Sequence, residues 1–202
     1  MRLLSNHVAI RVIQDEHDRL SAVIHGMQHF VRAINKGEKA PDPKVFRAML
    51  LYISEYPEQV HHPKEDQYLF ARLRERTSEV NQTLDELESQ HLQGESQLRA
   101  LEHALTHYEL EGAAAFQSFF DLVETYAKFY FNHMGLEEDV ILPAAIKFLT
   151  PDYWALIDAQ FAANADPLAG GEYKQSFDKL FSLIVNITPA PIGLGPSRSM
   201  SR

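Results

Sequence analysis

The chain has 202 residues, of which 45% are hydrophobic, so it is long enough to bury a sizeable core as one domain. Its 28 acidic residues outnumber its 19 basic ones, and the net charge of −9 argues against a nucleic-acid partner, because phosphate binding favours a basic surface. The absence of cysteine excludes disulfides, thiolate metal sites and thiol catalysis. No apolar run has the length of a signal peptide or a membrane span, so we expect a soluble cytoplasmic protein.

The first helix is expected from about Gln14 to Lys36, where apolar residues recur at helical spacing and a glycine follows as a stop signal. His17 falls on the apolar face of this helix, so we expect its side chain to point toward the core. Residues 1–13 form a short leader in which apolar residues alternate, a pattern that suits a packed extended arm.

The second helix begins with an N-cap, Asp42, followed by proline at the first helical position, and it runs to about Arg76. Two further prolines, Pro57 and Pro63, interrupt it. Each proline removes one backbone hydrogen bond, so the sequence predicts a kink in the second half of this helix.

A third helix is expected over about 81–108 and a fourth over about 113–149, with a glycine between them. Four long helices with short connections favour an all-α fold, namely an up-down-up-down antiparallel four-helix bundle. Two additional C-terminal helices are expected, one from a cap signature at Thr150 and one over about 172–185.

These elements predict three parts of the chain. Residues 1–149 are expected to form the four-helix bundle, and residues 150–188 a C-terminal helical extension packed on it. The apolar faces of that extension could also pair two copies of the chain into a homodimer. Residues 189–202 form a tail rich in proline, glycine and serine that lacks helical periodicity.

Two copies of the pattern His-x-x-x-Glu stand out, at 61–65 and at 133–137. Residues four apart lie on one face of a helix with Cβ atoms about 5–6 Å apart, so one imidazole and one carboxylate can reach the same ion. Each copy follows another histidine at nearly the same distance, which indicates a duplicated helix pair. The candidate metal ligands are His17, His61, Glu65, His91, His133 and Glu137.

These residues are costly as structure alone, because buried polar groups need partners and buried carboxylates need a cation. Any one of them could be a hydrogen-bonded core residue or an edge residue, but the duplicated spacing favours a metal site. Imidazole and carboxylate ligands without sulfur suit iron, manganese or zinc. Ferritin-like bundles place the acid first, in Glu-x-x-His, so the order found here argues against a ferritin-like cage.

This arrangement resembles the hemerythrin family, specifically its bacterial HHE cation-binding branch. The resemblance covers about residues 14–188 and includes the Asp-Glu-His-Asp-Arg-Leu stretch around His17 and the Leu-Pro pair after the last acid. It implies a centre of two iron ions joined by an oxo or hydroxo bridge, with zinc or manganese as other possible metals. It also implies O2, NO or peroxide as the small ligand.

One position departs from the oxygen-carrying members of the family, which have His-x-x-x-His on the third helix. Here the second position is Glu95, so four histidines are expected where those members use five. Glu95 could fill the missing position or point to solvent, and either case favours reactivity over oxygen storage. His62 lies about 100° around an ideal helix from His61, so we expect it to be exposed.

The second bridging acid is expected to be Glu137 rather than Glu138, and Tyr68 and Tyr126 are expected to be core residues rather than ligands. Three function classes remain open. The first is a di-iron protein that binds O2, NO or peroxide for sensing, detoxification or iron and oxygen homeostasis. The second is a di-iron enzyme with peroxide-disproportionating, catalase-like or oxidase activity. The third is a structural-metal bundle that acts as an interaction module.

Overall fold

The computed structural model describes residues 6–163, 172–188 and 192–194, apart from the side chains of Glu58 and of residues 172–177. Within these residues the chain is all-helical, as the sequence predicts, and no helix is long and apolar enough to cross a membrane. The elements are α1 (Val8–Asn35), α2 (Pro43–Glu55), π1 (Pro57–His61), α3 (His62–Lys64), π2 (Glu65–Phe70), α4 (Ala71–Arg76), α5 (Asn81–Glu111), α6 (Ala113–Leu136), π3 (Glu137–Ile141), α7 (Leu142–Phe148), α8 (Pro151–Ala162) and α9 (Glu172–Ile187).

The first helix begins earlier than the sequence predicts, because the apolar residues of the leader at positions 9, 10 and 13 also fit a helical face. Ala9, Ile10 and Ile13 are all fully buried at helical spacing, so the expected extended arm is wrong over the described part of the leader. The side chain of Asp158 accepts a hydrogen bond of 2.8 Å from the backbone N–H of Ala9. This contact satisfies one of the unpaired N–H groups at the start of α1.

The predicted kink in the second helix takes the form of two π-helical turns, π1 and π2, on either side of the short α3. Pro63 lies two residues after π1 ends, and Pro143 lies two residues after π3 ends. Proline has no N–H, and its ring crowds the carbonyl one turn earlier. A wider turn just before the proline relieves that crowding, and such turns often occur at functional sites.

Buried apolar side chains form two clusters, one toward each end of the long helices. The first cluster contains the second half of α1, α2, the second half of α5 and most of α6. The other contains the start of α1, the residues from π2 to the start of α5, and the segment from Ile141 through α8. Between the two clusters, buried polar residues come from α1, from the segment that runs from the end of π1 to the start of π2, from α5, and from the end of α6 with the start of π3. The fold therefore holds a polar layer between two apolar ones.

The C-terminal helices pack on the first two helices. In α8, Trp154 stacks on the ring of His7 with a centroid distance of 3.8 Å. In α9, Ile184 is buried in the first cluster, and Asp178 pairs with Arg19 of α1 at 2.6 Å. Phe177, which the sequence places on the apolar face of α9, lies outside the described side chains, as does most of the tail.

The cap on α1 yields a stability prediction. Asp158→Ala should lower the free energy of unfolding by about 1 kcal/mol, because the Ala9 N–H then loses its acceptor. Asp121→Ala is the matched control, since Asp121 is exposed and, among the described residues, its carboxylate accepts a side-chain hydrogen bond only from Gln117, on the same helix. Thermal or urea unfolding followed by circular dichroism measures both. Equal stability of the two variants would contradict the proposed role of Asp158.

Candidate metal centre

Seven buried side chains meet in the polar layer among the described residues, and they form three overlapping groups. Within each group the potential ligand atoms lie within 4.8 Å of one another. All six residues predicted from the sequence are present, together with one that was not predicted, His62. The groups are His17, His61, Glu65 and Glu137; Glu65, His91, His133 and Glu137; and His62, His91 and His133.

The first group brings the end of π1 and the start of π2 against α1. The Nε2 atoms of His17 and His61 are 3.2 Å apart, and Nε2 of His61 is 3.4 Å from Oε2 of Glu65. Two nitrogens bound side by side to one ion, with bonds of about 2.1 Å, are separated by about 3 Å. The first group therefore has the spacing of donor atoms that share a metal ion.

Glu137 and Glu65 belong to both four-residue groups, and Glu137 faces each group with a different oxygen. Its Oε2 lies 3.1 Å from Nε2 of His17, whereas its Oε1 lies 3.2 Å from Nε2 of His133 and 3.7 Å from Nε2 of His91. A carboxylate in this position can bind one ion through each oxygen. The arrangement therefore suits two neighbouring ions better than one.

Four of the histidines are held through the other ring nitrogen, Nδ1. The partner of His17 is Glu138 at 2.9 Å and that of His91 is Asp66 at 2.9 Å. His61 contacts Glu16 at 2.6 Å, and His133 contacts the side-chain oxygen of Gln90 at 3.0 Å. These partners accept hydrogen bonds, so each Nδ1 is the donor and each Nε2 points inward, where its deprotonated form offers a lone pair. Metal-binding histidines are oriented in the same way.

The two carboxylates are almost completely buried, with exposures of 0% for Glu65 and 1% for Glu137. None of their four oxygens accepts a hydrogen bond from any described residue, and neither does Nε2 of His91 or of His133. An ionised carboxylate buried without donors costs several kcal/mol or more unless a cation compensates it. These donors therefore fit a metal centre, and the oxygen and nitrogen set suits iron, manganese or zinc.

Electrostatics inside the cluster push neighbouring pKa values apart. Burial and the adjacent Glu137 raise the pKa of Glu65 well above its usual value. Burial would also raise the pKa of Glu137, but the surrounding histidines, above all His133, hold it well below its usual value. Burial would lower the pKa values of His17 and His91, but contacts with Glu137 and with Glu138 or Asp66 raise both to about 9. Protons therefore compensate the carboxylate charge when no cation does so.

Comparison with protein families gives a match over residues 8–145 to the model described as the hemerythrin HHE cation binding domain. The match covers more than half of the chain and every residue of the cluster. The chain belongs to the hemerythrin HHE family. No curated protein and no solved structure gave a significant match. The resemblance expected from the sequence is thus confirmed, and family membership implies that the domain binds a metal cation.

His62 is the residue of this hemerythrin-like cluster that sequence reasoning missed, and the expectation that it is exposed is wrong. Its exposure is 4%, and its ring stacks on that of His91 with a centroid distance of 4.0 Å. The expectation assumed about 100° of rotation per residue, as in an ideal α-helix. His62 follows a π-helical turn, which is wider and rotates less per residue, so consecutive histidines both face the core. The His-His-Pro order was the only available signal.

Glu95, in contrast to His62, is exposed to solvent. Its side chain is 61% exposed and pairs with Arg99 at 3.1 Å, so it does not face the cluster. Glu138 is also outside, since it contacts the Nδ1 side of His17. Tyr126 is buried next to Tyr130, and Tyr68 is half-buried beside the second apolar cluster. Glu95 therefore lies outside the group of potential ligands, and His62 lies inside it.

The pKa values predict that metal uptake releases protons. Below pH 9, His17 and His91 carry protons that a metal ion must displace. Uptake of Zn²⁺ at pH 7 should therefore release about two protons from these histidines, and affinity should rise as the pH increases from 6 to 9. Titration calorimetry in buffers of different ionisation enthalpy measures the number. Affinity that is independent of pH, with no proton release, would contradict these pKa shifts.

Proposed function

We propose that this hemerythrin-like chain is a non-haem di-iron protein that binds O2, NO or peroxide for sensing, detoxification or iron and oxygen homeostasis. The observation that carries the proposal is the position of Glu137, whose two oxygens face two different sets of histidines. The proposed scaffold is an up-down-up-down antiparallel bundle formed by residues 1–149, with residues 150–188 packed on it. The mutual contacts of α1, α2, α5 and α6 support that arrangement.

We assign the ligands from the grouping of donor atoms. The first ion would be held by His17 and His61, and the second by His91 and His133 together with His62. Glu65 and Glu137 would bind both ions, since both carboxylates belong to each four-residue group. The set then contains five histidines and two bridging carboxylates, the number that the oxygen carriers of the family use.

The division of histidines between the ions suggests where a small ligand binds. The first ion would have two imidazoles and the second three, so the first has the position left for an external ligand. Bound iron would supply electrons to, or accept them from, a small ligand such as O2, NO or peroxide. Around the centre, the two apolar clusters exclude water, and the contacts at Nδ1 hold each imidazole in place.

A fifth histidine ligand favours a ligand-binding protein over an enzyme. Four histidines, two bridging carboxylates and an oxo bridge would leave two coordination positions open on the pair of ions, and peroxide turnover is favoured in that case. With His62 in the set only one remains, which favours binding of a ligand over peroxide disproportionation. A structural zinc site stays distinct from both, because zinc has no redox chemistry. A visible absorption spectrum of the purified protein separates iron from zinc.

Removal of the bridging charge tests the two-ion assignment. Glu137→Gln should reduce the content from about two ions per chain to one or fewer, because a neutral amide is a poor bridge between cations. Glu95→Gln is the control, since that side chain is exposed and lies outside the cluster. Elemental analysis of both proteins after loading with iron measures the content. Two ions in Glu137→Gln would contradict the bridge.

His62 deserves a separate test because only the structure points to it. His62→Ala should lower the affinity for the second ion by roughly tenfold or more and alter the optical spectrum of the iron-loaded protein. His107→Ala is the control, since His107 is exposed on α5 and contacts Glu111. The metal-free variants are also compared by thermal unfolding, so that a loss of packing is recognised. An unchanged spectrum and affinity in His62→Ala would show that His62 is not a ligand.

A further inference from the structure

A cavity of about 240 Å³ lies between the segment around His62 and the part of α5 that begins at His91. We propose that this cavity is the port through which divalent cations enter the centre. The inference rests on the proposed function, because it requires that the buried cluster binds metal. It adds to the proposed ligands a path by which the metal ion reaches them and a surface that attracts the ion.

The cavity extends from solvent to the cluster of potential metal ligands. Its lining includes both His62 and His91, which also belong to the same group of potential ligands. These rings are only 4% and 7% exposed, and they stack at 4.0 Å, so together they close the inner end of the cavity. Behind them, Nε2 of His91 has no hydrogen-bond partner among the described residues. A cation that passes these rings therefore meets Nε2 of His91 directly.

The rim of the cavity carries two carboxylates, Asp66 and Glu95, which we call the acidic mouth. The side chain of Asp66 is 40% exposed and that of Glu95 is 61% exposed, so both face water. The lining contains no lysine and no arginine. Arg99 pairs with Glu95 from outside the lining at 3.1 Å, but both side chains are exposed, and exposed ion pairs of this kind are weak. Carboxylates at the opening of a low-dielectric cavity raise the local concentration of cations and lower that of anions. The acidic mouth is thus suited to attract a divalent metal ion.

Asp66 also connects the mouth to the cluster. One of its oxygens lies 2.9 Å from Nδ1 of His91, so the same carboxylate that faces solvent orients a potential ligand. The two apolar clusters lie on either side of the polar layer that the cavity reaches. We infer that a cation passes the acidic mouth and then enters as the His62 ring turns away from His91.

The chain offers matched pairs of variants on one helix. Glu95→Lys changes the charge at the mouth, and Glu111→Lys makes the same change about 24 Å away along α5. Leu92→Trp places a larger side chain at the opening of the cavity, where Leu92 is 81% exposed. Leu110→Trp is its control, because Leu110 is 79% exposed and is not part of the lining. All four positions are on the surface, so none of the substitutions should disturb the core.

The experiment measures the rate at which the metal-free full-length chain takes up Co²⁺, followed by stopped-flow absorption. Glu95→Lys should slow uptake about threefold or more at low ionic strength, and the difference should shrink in 1 M salt. Leu92→Trp should slow uptake at every salt concentration. Glu111→Lys and Leu110→Trp should match the wild type. The final stoichiometry and the Co²⁺ spectrum should be the same in all five proteins.

The possible outcomes distinguish failure of the proposed port from failure of the proposed metal centre. If the wild type takes up two ions per chain but all variants load at the wild-type rate, the port is wrong and the proposed function stands. If the wild type takes up no Co²⁺, Zn²⁺ or iron, the proposed function fails and the port fails with it. Equal slowing by Glu95→Lys and Glu111→Lys would reduce the effect to net charge and would also overturn the port.

Discussion

The structure depends on the burial of two carboxylates, Glu65 and Glu137, between two apolar clusters. Neither has a hydrogen-bond donor among the described residues, and each lies within 3.4 Å of a histidine nitrogen. In a low-dielectric interior this arrangement is stable only if positive charge is nearby, either as protons or as metal ions. The raised pKa values of His17 and His91 are one form of that charge. We propose that a pair of cations is the other.

The rest of the fold places seven side chains around that charge. The helices carry their apolar residues toward both ends and leave a polar layer in the middle. π-Helical turns begin or end at His61, Glu65 and Glu137, so the backbone departs from α-helical geometry where the carboxylates enter the layer. An outer set of acceptors, such as Glu16, then fixes the rings, and the hydroxyl of Tyr56 donates in turn to Glu16.

Much of this could be predicted from the sequence, because helical periodicity and a duplicated motif are local signals. The all-helical fold follows from helical spacing, and the family was predicted from its resemblance to the duplicated motif and the stretches around it. The same motif predicted that His17 and His91 would lie in one layer, where the structure places them. His62 could not be placed, because its orientation depends on π-helical turns that no simple periodicity reveals. The start of α1 was missed for a related reason. The leader contains apolar residues that alternate, as in a strand, and others that have helical spacing, and packing against α8 decides between the two.

The partners at Nδ1 were also beyond sequence reasoning. In the sequence, Glu16 and Asp66 look like ordinary surface acids, because nothing in their spacing identifies the histidine that each one contacts. Their roles depend on contacts between helices, namely Glu16 with His61 and Asp66 with His91. Such contacts require the relative rotation of two helices to be known within a few tens of degrees, which spacing within one helix does not give.

A crystal structure of the iron-loaded protein, with anomalous scattering recorded at the iron edge, tests the central claim most directly. The account predicts two anomalous peaks about 3.5–4 Å apart, with Glu137 binding one ion through each oxygen. It also predicts His17 and His61 on one ion, and His62, His91 and His133 on the other. A single peak, or two peaks that share no carboxylate, would contradict the account.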